Sequence, residues 1–267
     1  MKIQSNLFWK SFLISFAVFA LLAGIIVASV YIDSISVDPM KKESNVLLGI
    51  QEDGEIIALM VLHLDPKNSV VSFLQIPDNT LLSDGRVLQK LYQRNKAIEL
   101  IEAIEDLIGT DIHRYAVFST DAVCDITNGV GKIEYLIPYK FIYNDFEHSG
   151  QTYMYGELAK AMFTYGDYDM TKVSMSYIAD SYLHSFLSKH ANSATVNKLA
   201  ATLTDKGIFS GIDTNLDEKE ISEYCAFLAK YSSLTQKNVA IEGTMNIAST
   251  NRYFTPNVYK TDKNIFE

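Results

Sequence analysis

From Ser11 to Ile32 the chain reads SFLISFAVFALLAGIIVASVYI, with no charge between Lys10 and Asp33. At about 1.5 Å per residue a helix of that length spans roughly 33 Å, close to the ~30 Å hydrocarbon core of a bilayer. The run is longer than the apolar region of a signal peptide, and Ala28-Ser29-Val30 makes a poor cleavage site. A retained transmembrane helix over 11–32 is therefore expected. Lys2 and Lys10 precede it, whereas Asp33 and Asp38 come before Lys41 and Lys42 on the far side. The positive-inside bias then keeps residues 1–10 in the cytoplasm. The expectation is a single-pass protein of the cell membrane, with a linker over 33–44 and the rest of the chain extracytoplasmic.

Charge narrows the partners. Acids outnumber bases 32 to 23 in 267 residues, a formal net charge of −9. Nucleic-acid binding rests on Lys and Arg neutralising phosphates, and no basic face is available for it. The only arginines are Arg86, Arg94, Arg114 and Arg252. Two cysteines, Cys124 and Cys225, are too few for a disulfide framework or a structural zinc site. They are read as buried thiols, with a single bridge as the alternative.

Beyond the linker, apolar runs alternate with turn signals. Asn45–Gln51, Ile56–Leu64 and Val70–Ile76 read as three strands joined at Glu52-Asp53-Gly54 and Asp65-Pro66-Lys67-Asn68, an antiparallel meander. The period then becomes helical from Arg86 to Ile108, with Gly109 as a stop. A strand over His113–Ser119, a helix from Thr120 to Gly129, and a strand over Ile133–Tyr143 interrupted by Pro138 follow. Helices are expected at Gly156–Tyr165, Thr171–Lys189, Thr195–Asp205 and Asp217–Leu234, the last capped by Asn215 or Asp217. A final strand, Val239–Glu242, leads into a polar tail. The pattern predicts one α/β domain over 45–243, with helices covering a mixed sheet, and a tail over 244–267.

Common chemical motifs are missing. Gly129-Val130-Gly131 lacks the third glycine of a dinucleotide loop, and there is no P-loop or nucleophile elbow. His63, His113, His148, His184 and His190 form no helical pair three or four apart. Glu99, Glu102, Glu105 and Asp106 read as a solvated helix face, and aromatics such as Tyr177 and Phe186 as core.

The order of segments is more telling. NVLLGI, LMVLHLDPKNSVVSFLQIPDNT, a helix ending at Gly109, HRYAVFS and VCDITNGVGKIEYLIP resemble the LytR-CpsA-Psr family. GELAKAMF, YDMTKVSMS and IDTNLD extend the resemblance to nearly the whole extracytoplasmic part. It implies an α-β-α sandwich with a mixed central sheet and a hydrophobic slot for a prenyl tail. It also implies transfer of a cell-wall glycopolymer from polyprenyl pyrophosphate to peptidoglycan. Family members hold the pyrophosphate with arginines and Mg²⁺ with acids, because guanidinium forks and a divalent ion neutralise a multiply charged leaving group.

This chain departs from that pattern where the chemistry belongs. Ile56-Ile57-Ala58 stands where a Ser-Asp-Thr supplies a metal-binding carboxylate. Asp78, Asn79 and Thr80 match the Ile-Pro-Arg-Asp-Thr motif, but with an acid in the arginine's place. Thr164-Tyr165-Gly166 replaces an Arg-x-Arg, and Asp169, Lys172 and Met175 replace Asp-x-x-Arg-x-x-Arg. The ligand-binding candidates by resemblance are therefore Asp78, Asn79, Thr80, Thr164, Asp169 and Lys172, with no metal ligand assigned. Two readings stay open. One is a catalytically impaired protein of envelope assembly that binds a prenyl lipid, a glycan or an active family paralogue. The other is an active phosphotransferase, for which alone Mg²⁺ would be required. A transcriptional role, suggested by the family's naming, is opposed by topology and charge.

Overall fold

The computed structural model describes residues 40–93, 96–164, 175–191, 193–209, 211–248, 251–257 and 265–266. The expected membrane helix over 11–32, together with Arg94, Asp169 and Lys172, lies outside the described residues. Among those described, no helix is long and apolar enough to cross a membrane.

The meander forms as its turns dictate. β1 (Ser44–Glu52), β2 (Glu55–Asp65) and β3 (Val70–Ile76) pair antiparallel in sequence order. Asp53 and Gly54 both take positive φ, 51° and 84°, between the paired Glu52 and Glu55. That is the two-residue turn whose twist suits a hairpin. At the next turn the Asp65 carboxylate accepts from the backbone and side-chain nitrogens of Asn68, at 3.0 and 2.6 Å.

β4 (Arg114–Ser119) adds parallel to β1, β7 (Ile212–Thr214) antiparallel to β4, and β8 (Thr235–Ala240) parallel to β3. The described sheet thus runs β7-β4-β1-β2-β3-β8 and is mixed, as expected. Alternation along the strands divides the core in two. Leu47, Leu59, Val61 and Leu74 pack against Leu100 and Ile104 of α1 (Ile98–Ile108). On the other face Val46, Met60, Leu62 and Phe73 meet α3 (Gly156–Thr164) and α4 (Met175–His190). This layering is the anticipated helix–sheet–helix arrangement.

α2 (Thr120–Val130) starts where Ser119 Oγ accepts from the Ala122 N–H at 3.0 Å. A Cβ on Gly156 would strike Asn128 and the Cys124 carbonyl, so glycine lets α3 seat directly on α2. α5 (Ser193–Leu203) and the short α6 (Lys206–Phe209) precede α7 (Glu218–Leu228), which Asp217 and Glu220 open with a reciprocal capping box.

Three expectations need correction. The helix expected from Arg86 begins only at Ile98, after a single 3₁₀ turn at Leu88–Lys90. The N–H groups of Leu88 and Gln89 are taken by the carbonyls of Thr80 and Asp78, at 3.0 and 2.9 Å, so they cannot close helical turns. The helix expected to reach Leu234 stops at Leu228. Two hairpins were not anticipated: β5–β6 (Ile133–Tyr143, Phe146–Met154) and β9–β10 (Gly243–Ala248, Asn251–Pro256). The β5–β6 register shifts between Ile137 and Phe141, around Pro138. Both cysteines are free and buried, so the alternative of a bridge does not hold. Burial pushes the Cys225 thiol up to about 12.

Candidate functional site

Of the positions marked by the resemblance, Ile56, Ala58, Asp78, Asn79 and Thr80 lie near one end of the sheet, where β3 ends and β2 begins. Ser176, fully buried at the start of α4, fixes this end. Its Oγ donates to the Ile76 carbonyl at 2.7 Å and accepts from the Leu59 N–H at 3.0 Å. Sequence reading did not single out this clamp. Its only signal is the polar stripe Ser176, Asp180, His184 at four-residue spacing.

Few of the candidates are presented to a ligand. Thr80 is fully buried, and its Oγ1 donates to the Pro77 carbonyl at 2.6 Å. Asn79 Nδ2 lies 3.6 Å from Met245 Sδ of β9, and the Asn79 carbonyl accepts from Phe254 N–H of β10 at 3.1 Å. Asn79 thereby fastens the β9–β10 hairpin to the end of β3, and Thr80 forms an isolated β-bridge with Phe254. Asp78 is half-buried, and desolvation pushes its carboxyl up to about 7, opposed only by its own backbone N–H. No cation figures among the causes. Ile56 and Ala58, where the family pattern expects a metal ligand, are buried apolar residues, and Ala58 faces a cavity. The donor set described at this end therefore does not fit a Mg²⁺ site. Among the described residues no cluster of three His, Cys, Asp or Glu side chains is placed to hold a metal.

Thr164 ends α3 and donates to the Lys160 carbonyl at 3.2 Å. With Glu157, Lys160, Ala161, Ile142 and Tyr143 it lines a cleft of about 240 Å³. Lys160 was also missed, although Glu157, Lys160 and Thr164 share one helical face at i, i+3 and i+7. It pairs with Asp121, and its pKa is raised by that hydrogen bond first, then by the charges of Asp121, Glu52 and Glu157. The one described cation of the cleft is thus surrounded by acids. Neither arginine whose side chain is described replaces it. Arg86 Nε reaches Asp84 at 2.7 Å and also pairs with Glu99, while Arg114 Nε reaches Glu220 at 2.7 Å.

Beneath this end lies an apolar cavity of about 260 Å³ between the β1–β2–β4 face and helices α2, α4, α5 and α7. Leu48, Met60, Leu62, Val123, Leu183 and Leu228 are among its walls, and no charged side chain lines it. Its hydroxyls are turned to protein partners: Tyr182 to Thr127 at 3.2 Å and Tyr224 to Ser44 at 2.9 Å. At roughly 24 cal/mol per Å³, an empty space of this size would cost about 6 kcal/mol.

A mixed α/β domain with helices on both faces and an apolar cavity beside the sheet defines the class. No protein-family model matches the chain. It is 25% identical to TagV of Bacillus subtilis over 252 residues, covering 83% of this chain and 60% of that protein. The relative's name describes a polyisoprenyl-teichoic acid–peptidoglycan teichoic acid transferase. The B. subtilis TagV crystal structure superposes with a TM-score of 0.67 at 22% identity, over 82% of this chain and 92% of that one. A structure of TagT bound to LI-WTA gives 0.60 at 16%, over 82% and 87%. These two superpositions establish the fold. The sequence match to TagV supports membership of the LytR-CpsA-Psr family.

Proposed function

We propose that this chain is a membrane-tethered, extracytoplasmic protein of cell-wall glycopolymer assembly that holds a polyprenyl lipid in its apolar slot and has lost the phosphotransferase step. The observation that carries this reading is the pairing of an uncharged, carbon-lined cavity with a rim whose described cation, Lys160, is already paired with Asp121. Each buried methylene contributes about 0.8 kcal/mol, so ten carbons of a prenyl chain would contribute on the order of 8 kcal/mol before ordering costs. The described residues give a pyrophosphate at the mouth no such support. Ile56 and Ala58 offer no metal ligand, Asp78 offers no guanidinium, and Lys160 already faces Asp121. Stabilising the transition state, in which polyprenyl phosphate leaves as the glycopolymer phosphate is transferred, depends on just those groups. The protein then acts as a lipid-binding partner, with a glycan or an active family member as the molecule it serves.

The test uses the full-length protein extracted from membranes. Mass spectrometry of the co-purified lipid should find a polyprenyl phosphate or pyrophosphate. Incubation with a polyprenyl pyrophosphate substrate and Mg²⁺ or Mn²⁺ should release no phosphate product. Turnover would establish the active-transferase reading instead, the one favoured by the likeness to TagV, and absence of any prenyl lipid would sink the slot assignment.

A further inference from the structure

A second cavity, of about 410 Å³, opens at the opposite end of the sheet and on its other face. Register builds it. Asn45 pairs with His63, His63 with Ser72, and Ser72 with Lys237, so one polar row crosses β1, β2, β3 and β8. Glu43, Asp65 and Phe266 complete the walls used here. Such a row is unusual beneath a sheet face whose other positions, Leu59, Val61 and Leu74, are core.

Its groups are held in defined states. Asn45 Nδ2 donates to the Asp111 carbonyl at 2.8 Å, so Oδ1 must accept from His63 Nδ1, also at 2.8 Å. His63 thus carries its proton on Nδ1 and keeps a lone pair on Nε2. Phe266 stacks on the imidazole with centroids 4.7 Å apart and planes at 12°. Ser72 is 1% exposed, and its Oγ has no hydrogen-bond partner among the described residues. A buried hydroxyl without a partner carries a penalty that a bound ligand would remove.

Charge selects the ligand. Lys237 is exposed and has no carboxylate within ion-pair distance among the described residues. Glu43 is exposed, its Oε1 3.7 Å from His63 Nδ1, and Asp65 is engaged by Asn68. The lysine opposes a metal ion, and the two carboxylates oppose a polyanion. A molecule with one charge of each sign suits both. Lys237 on one side of the cavity and Glu43 beside His63 on the other present one cation and one anion, and the smallest molecules that answer both carry an ammonium and a carboxylate.

We propose that this cavity is a binding site for a small zwitterion of the amino-acid class, its carboxylate on Lys237 and the Ser72 hydroxyl and its ammonium on Glu43. The site is independent of the lipid reading, since it shares no lining residue with the slot.

The experiment titrates the full-length protein with alanine, using propionate and ethylamine as single-charge controls. Binding is read by calorimetry and by the NMR signal of the His63 ring. Alanine should bind saturably, with a dissociation constant in the millimolar range or tighter, and shift the His63 signal where neither control does. Glu43→Gln and Lys237→Met change exposed side chains and should each weaken alanine about tenfold or more. Ser72→Ala should weaken it as well. Failure of alanine to saturate, equal binding of either control, or unchanged affinity in both charge variants would overturn the assignment.

Discussion

The hydroxyl of Thr80 donates to the Pro77 carbonyl at 2.6 Å from a fully buried position, so its hydrogen goes to the turn after β3. Its backbone N–H reaches the same carbonyl at 3.1 Å, and its own carbonyl accepts from Leu88. Thr80→Val keeps the shape and removes the donor, and it should lower unfolding stability by about 1–2 kcal/mol. Thr80→Ser should recover much of that loss. Urea denaturation of the protein measures both, and the lipid recovered per protein should not change. A stability-neutral Thr80→Val that abolishes lipid binding would instead make Thr80 a ligand contact.

The slot makes its own prediction. Ala179 is buried on α4 and faces the cavity, where a larger side chain has room to enter. Ala179→Phe should reduce co-purified prenyl lipid about tenfold or more while changing stability by no more than about 1–2 kcal/mol, since it fills existing space. Lipid mass spectrometry and thermal unfolding report the two effects separately. Full lipid retention in a folded variant would place the lipid elsewhere.

The meander was legible because Asp53-Gly54 and Asp65–Asn68 punctuate strands of strong apolar content, and the core sorts by alternation. Of the two caps expected for the last helix, Asn215 and Asp217, the chain uses Asp217, whose carboxylate accepts from the Glu220 N–H at 2.8 Å. β6 was not legible: Glu147, His148, Ser149 and Gln151 carry no apolar alternation, and the ribbon is defined by pairing and by Asn144 and Asp145, both at positive φ. The region from Arg86 to Ala97 misled for the opposite reason. Val87, Leu88 and Leu91 sit near helical spacing, yet their burial comes from packing on the Pro77–Thr80 turn and the α1 side of the core. At the site, Asp78, Asn79 and Thr80 follow the end of β3, and their hydrogen bonds set their structural duties. Whether a threonine faces a ligand or its own turn depends on a hydrogen bond that no local pattern encodes.

Asp78 gives a pH dependence whose sign is fixed. Its carboxyl is held near 7 in the fold against an ordinary value of 3.8. The folded state therefore binds more protons between those values, and stability from this group is full below about pH 4 and lost as pH rises through 7. At 1.36 kcal/mol per pK unit the upper bound is about 4 kcal/mol, and solvent reaching this half-buried side chain reduces the expected figure to about 1–2 kcal/mol. Asp180 is also raised by burial, so the wild-type curve alone mixes the two. The difference between Asp78→Asn and wild type isolates Asp78: near zero at pH 4, it should grow in the variant's favour up to pH 8. Denaturant midpoints across that range would expose a flat difference, which would mean that Asp78 titrates normally.

Lys160 offers the sharpest test of lost catalysis, because its partner is removable. Asp121 is largely exposed, with 78% of its side chain accessible, so Asp121→Asn should leave the fold intact. A surface pair is worth about 0–1 kcal/mol, which corresponds to at most about fivefold in an equilibrium constant. Inorganic pyrophosphate should therefore bind the wild-type protein weakly and Asp121→Asn up to about fivefold more tightly, with the gain erased by adding Lys160→Met. Titration calorimetry at low ionic strength measures all three, and rising salt should shrink the difference as surface charges are screened. Tight pyrophosphate binding by the wild type, unaffected by Lys160→Met, would show that other cations hold the anion and would revive the transferase reading. A gain in Asp121→Asn that Lys160→Met removes would identify acid–lysine pairing as one cause of the weak anion site.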